Sequence, residues 1–211
     1  MRLFSAIILL GAAWASMAGK PAEPVGRDRP AAEPVGTRGD NERNVTVLRD
    51  SDIPVDSMPI PPNNPKQLFY LQRTPNANTI VCELNDKNGI ADPDAPIHVY
   101  WLRYTEQQNG QRAELSYIQR HYAYGISANQ IGPDKYELHF VSYKKYSMYL
   151  ERAADHKYHV FAKINGQVAI LNRIFVSIHG GSFWLPHVDY VELKGIDPAT
   201  GKVVTGRINV S

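Results

Sequence analysis

The sequence predicts an all-β dominated domain: a mostly antiparallel sandwich or barrel of about nine to ten strands, with one short helix at about residues 113–123. Three observations predict it. Short runs rich in Val, Ile, Tyr and Phe recur from residue 66 to 211, with apolar side chains at every second position. Turn chemistry separates them, most clearly Asn165-Gly166 and the Asp197–Gly201 stretch "DPATG". Strand and helix patterns do not alternate, as a doubly wound parallel sheet would require.

The chain has 211 residues. It opens on "MRLFSAIILLGAAWASMA", where Arg2 precedes an apolar run and small residues follow. Residues 1–18 read as a signal peptide, cleaved after Ala15 or Ala18, and the run is too short for a comfortable membrane span. The mature chain is therefore expected to be exported, periplasmic or extracellular, with no transmembrane segment. Residues 19–65 are dominated by Pro, Gly and charge, and "AEPVG" occurs twice, so they read as a disordered spacer. The composition changes at Lys66: all 12 tyrosines lie beyond it, and residues 66–211 form the expected β-rich domain.

Within that domain "QLFYLQR" and "NTIVCELN" read as the first strands. The turn "NDKNGIADPDAP" leads to "IHVYWLRY". "RAELSYIQRHYAYG" then breaks the pattern, placing Leu115, Ile118 and Tyr122 at helical spacing before Gly125, a residue suited to a helix C-terminus. "KYELHFVSY", "YSMYLER", "KYHVFAKI" and "QVAILNRIFVSI" return to alternation, and "VDYVELKG" and "KVVTGRINV" close the chain.

The charge balance is near neutral, with 23 Lys and Arg against 21 Asp and Glu, and gives no footprint for nucleic acid. The 1 cysteine, Cys82, alternates with Ile80 and Leu84 and reads as a buried thiol, so no intramolecular disulfide forms. Catalytic motifs fail one by one. "SIHGGSFWLPHVDY" begins like a lipase oxyanion loop, but no Gly-x-Ser-x-Gly elbow accompanies it; "GISAN" is wrong in its last position. It reads instead as a strand ending at His179, a Gly180-Gly181 turn, and a new strand from His187 and Asp189. His156 and His159 straddle a turn and a strand start, without a further ligand at metal-binding spacing. No cofactor or metal is implied.

Polar residues inside apolar strands are the remaining signal. Trp101 and Arg103 share a face with Ile97 and Val99. Asn172 falls among Val168, Ile170, Ile174 and Val176, which predicts either a polar group in a ligand pocket or a bulge where the strand changes sides. Phe183 and Trp184 lie between two strands, as a contact tip or as a plug on the core. Trp101, Arg103, Asn172, His179 and Trp184 are thus the candidate ligand-binding residues.

The stretches "FYLQRTPNANTIVCELN", "VYWLRY", "ELSYIQRHYAYGI", "YELHFVSYKK", "ILNRIF" and "GGSFWLPHVDYVELKGIDPATGK" together resemble the domain of unknown function 4833 family, found in exported bacterial proteins. The resemblance runs from about Gln67 to Val210 and implies secretion and a shared fold, with no activity attached. Two function classes follow. One is a non-enzymatic module that binds a small molecule or an envelope component, which requires an apolar pocket or patch. The other is an envelope-acting enzyme on glycan or lipid, which requires ionisable groups from among His98, Arg103, His121, His179 and Asp189 to converge in one cleft.

Overall fold

A computed structural model of the chain describes residues 57–105, 109–182 and 185–209, and the side chains of all of these but 181, 182 and 185. The leader expected at 1–18, the spacer as far as residue 56, and Phe183 and Trp184 lie outside the described residues. The fold is mostly β: one large sheet curled into a half-barrel, with almost no helix.

One arm of the sheet is built from β1 (Gln67–Arg73), β2 (Asn76–Leu84), β5 (Ile97–Arg103) and β6 (Gln111–Glu114), in the order β1-β2-β5-β6. Between β2 and β5 lies a separate miniature hairpin, β3 (Asp86–Lys87) with β4 (Ile90–Ala91). The other arm is a meander of β7 (Ile126–Gly132), β8 (Lys135–Phe140), β9 (Tyr143–Arg152) and β10 (Tyr158–Ile164). Asn165 and Gly166 both take positive φ, 49° and 82°, and turn β10 directly into β11 (Gln167–Ser182), as the sequence predicts. β12 (Leu185–Ile196) and β13 (Val203–Asn209) follow as further antiparallel partners.

Strand β11 joins the two arms. Gln167–Ile170 pair with β10, Arg173–Val176 pair in parallel with β1, and β12 runs along it from Ile170 to Ser182. Two arms leave one strand at successive positions, so they cannot lie flat and instead face each other. The change of partner coincides with a change of phase. Ala169 and Leu171 are buried on the core side before the register slip, and Ile174, Val176 and Ile178 after it. Asn172 stands exposed at the slip. Of the two sequence readings of Asn172, the bulge is the one realised. The slip also turns Arg173 and Phe175 to the outer side of the sheet, where both are buried.

The core fills the space between the arms. Phe69 of β1 meets Phe140 of β8 edge-to-face, ring centroids 6.2 Å apart. Leu138, Met148, Leu150 and Val160 are fully buried opposite Ile80 and Cys82. Thr74 fastens the parallel junction: its hydroxyl donates to the Ile178 carbonyl at 2.8 Å and accepts from the Ile178 N–H at 2.6 Å.

Three sequence expectations need correction. The helix expected from about 113 to 123 is shorter: Gln111–Glu114 extend the sheet as β6, and the helical residues run from 117 to 123, π-helical over Gln119–Ala123. Pairing of β6 with β5 satisfies those backbone groups, whereas a helix would leave the β5 edge bare. Leu115 is buried, but Tyr117, Ile118 and Tyr122 are exposed, so the helical spacing did not mark a core face. Gly125 does close the turn as expected; a Cβ there would stand 1.8 Å from the Arg120 carbonyl oxygen. Second, Gly180 and Gly181 form no turn. β11 runs through them, with Gly181 opposite Pro186, and Gly180 at φ 61° absorbs a further register slip. Third, "ISANQIG", to which the sequence reading assigned no element, is strand β7.

The outer face of the β1-β2-β5 arm is also apolar, carrying Tyr70, Val81, Tyr100 and Leu102. The segment 57–65 lies against it. Met58 is buried, and the Gln72 side chain donates to the Pro59 carbonyl at 2.7 Å and to the Thr79 hydroxyl at 3.0 Å. The Asn64 amide donates to Glu83 Oε2 at 2.8 Å. The end of the expected spacer is thus part of the packed domain.

Candidate functional site

Where the half-barrel stays open, its inner face forms a small apolar groove, partly open to solvent. Its floor is Leu71 of β1 with Ile174 and Val176 of β11. One wall is Val191 and Leu193 of β12 with Ile208 of β13; the other is Phe140, Ser142, Tyr143 and Tyr146 at the β8–β9 hairpin. Alternation explains the floor: once β11 has slipped phase at Asn172, its residues 174 and 176 project inward.

Two of the three hydroxyls in this lining are already committed. The Ser142 hydroxyl donates to the Ala123 carbonyl at 2.7 Å, and the Tyr146 hydroxyl to the Lys163 carbonyl at 3.0 Å. Burial pushes the Tyr146 phenol up to about 12, so it stays protonated and acts as a donor at neutral pH. No carboxylate or imidazole lines the groove. Its chemistry is that of an apolar cleft, the kind of lining that small-molecule sites share.

A family described as Domain of unknown function (DUF4833) matches residues 69–207. The chain belongs to that family. The DUF4833 match begins in β1 and ends in β13, taking in every groove residue except Ile208 and leaving out the segment 57–65. Neither the curated proteins nor the solved structures contain a match.

In this DUF4833 domain none of the four described residues among the five singled out from the sequence lines the groove. Trp101 is core: its indole N–H donates to Gln119 Oε1 at 3.3 Å and its ring packs edge-to-face on Tyr124, centroids 5.0 Å apart. Arg103 is half-buried at the end of β5, and Asn172 is exposed at the bulge. His179 is exposed and pairs with Asp189. Trp184 lies outside the described residues. The groove was missed because its lining is gathered from six strands that lie far apart in the chain. The one available signal was the inner phase of β11 after Asn172.

The residues proposed for an enzyme sit in different settings. Ser177 donates to Asp189 Oδ2 at 3.2 Å, and His179 meets the other oxygen of the same carboxylate. A Ser-His-Asp triad needs the imidazole between hydroxyl and carboxylate; here the carboxylate is in the middle, so the arrangement is not that triad. His98 belongs to the outer face. It bridges Glu83 and Glu114, both at 3.0 Å, while Arg112 contacts Glu83 at 2.9 Å and covers the Tyr100 ring at 3.7 Å. Burial raises the Glu83 carboxyl, but hydrogen bonds from His98, Asn64 and Arg112 outweigh it and hold the group below the usual range. His121 binds the Tyr117 carbonyl and stacks on its ring. His156, at φ 62°, turns the chain before β10, and His159 pairs with Asp155 at 2.8 Å. Among the described residues no three His, Cys, Asp or Glu side chains are grouped to hold a metal. Cys82 is buried, which pushes its thiol up and removes it as a nucleophile.

Proposed function

We propose that the protein is an exported, non-enzymatic binding domain whose half-barrel groove takes an apolar small molecule. The observation that carries this reading is the groove itself: an open apolar cleft in which two of the three hydroxyls already serve backbone carbonyls. A cleft without a free acid, base or nucleophile has little to offer a reaction and much to offer a chain of methylenes. Each buried CH₂ contributes about 0.8 kcal/mol, so a modest number yields micromolar affinity. Export rests on the leader-like residues 1–18, and N-terminal sequencing of the mature protein checks it.

Native mass spectrometry of protein purified without refolding from the exported fraction tests the binding. The expected result is a stoichiometric added mass that a Val191→Trp variant, filling the groove from its wall, no longer carries. A bare polypeptide, or a mass that survives Val191→Trp in a protein of unchanged melting temperature, overturns the reading.

A further inference from the structure

The rim of the groove is not chemically uniform. Leu138 pairs with Met148, yet Phe140 already pairs with Tyr143, so extra residues of β9 bulge out of the ladder between them. The bulge lets Tyr143 and Tyr146 both face the groove, which strict alternation would forbid, and leaves Lys144 and Lys145 side by side in solvent between them. Neither lysine has an ion-pair partner among the described residues. On the opposite wall Glu192, between Val191 and Leu193 in β12, is already matched by Arg207 at 2.9 Å. The mouth therefore presents two uncompensated positive charges beside a cleft lined by apolar side chains.

We propose that the groove's ligand is an anionic amphiphile: its hydrocarbon chain lies on Leu71, Val176 and Leu193, and its carboxylate or phosphate head rests at Lys144 and Lys145. This rests on the binding reading above and adds the head group to it. The placement is physically economical. The head keeps its water at an exposed rim, and only the chain is desolvated, so no charge is buried.

Calorimetry on the full mature chain tests it with four probes used below their micelle concentrations. These are dodecanoate, dodecanol, and lysophosphatidylglycerol and lysophosphatidylcholine carrying the same twelve-carbon chain. Dodecanoate is expected to bind about fivefold more tightly than dodecanol, the scale of two exposed ion pairs. The preference should vanish in Lys144→Gln/Lys145→Gln and shrink at 0.5 M salt. Lysophosphatidylglycerol exceeding lysophosphatidylcholine by a like factor would show that a phosphate head serves; preference for dodecanoate alone would assign the carboxylate. Equal binding of charged and uncharged probes, unchanged in the double variant, overturns the head-group assignment and leaves the groove standing. Binding of none of the four overturns both.

Discussion

The β1-β2-β5 arm and the groove beside it make an instructive pair, because both present apolar strand faces and only one is covered. On the outer face, Tyr70, Val81, Tyr100 and Leu102 are sealed by the chain's own segment 57–65, with Gln72 bonded to Pro59 and Glu83 to Asn64. On the inner side, Val191 and Ile208 stay partly or wholly exposed, and no described segment lies over them. The covered face carries charged and amide groups and satisfies them with specific partners. The open face carries almost none. A surface that is packed by its own chain contributes to stability; one left apolar and open is available to something else.

The comparison can be broken most severely by removing the cover. A chain starting at residue 66 should be less stable than one starting at residue 57 by about 3 kcal/mol. The loss combines exposure of Met58 and its contacts with an unpaired, buried Gln72 amide. Urea denaturation of the two proteins checks this, and equal midpoints would mean the cover is only laid on the surface.

A matched pair of substitutions sharpens it. Val81→Ser, on the sealed face where Val81 is 0% exposed, should cost about 2–3 kcal/mol through lost packing and a buried hydroxyl. Val191→Ser, on the groove wall, should cost less than about 1 kcal/mol, because the hydroxyl reaches water. Thermal melts decide it; equal costs would mean the groove is core.

The smallest effect concerns pH. Glu83 titrates below its ordinary value when folded, so its contribution is present above the unfolded value of about 4.3 and is lost as pH falls through the folded one. Glu83→Gln should be less stable than the parent at pH 7, and the gap should close toward pH 3. A gap that stays constant in acid would show that the partners act through shape alone.

Much of the fold was legible because strands announce themselves locally. The β10–β11 hairpin was readable from Asn165-Gly166, since both residues take positive φ. The break in β11 was readable from one amide among β-branched residues. Legibility failed where pairing overrode the local pattern. Residues 113 and 114 read as the start of a helix and became part of an edge strand, because β5 offered them backbone partners. Gly180-Gly181 read as a turn, but β12 pairs through them. The candidate site was less legible still. Trp101 was chosen for its size and neighbours, and it turned out to anchor the core through Gln119 and Tyr124.

The sequence by itself determined the β class, the alternating faces, the hairpin turns and the buried state of the lone thiol, because each depends on the conformational preferences of residues close in the chain. The tertiary structure alone decided which apolar faces are sealed and which stay open. That depends on contacts such as Thr74 with Ile178, separated by 104 positions, and on a parallel pairing that no turn dictates. Side chains at period two declare two faces for every strand; only the way two arms leave β11 determines which of those faces meet.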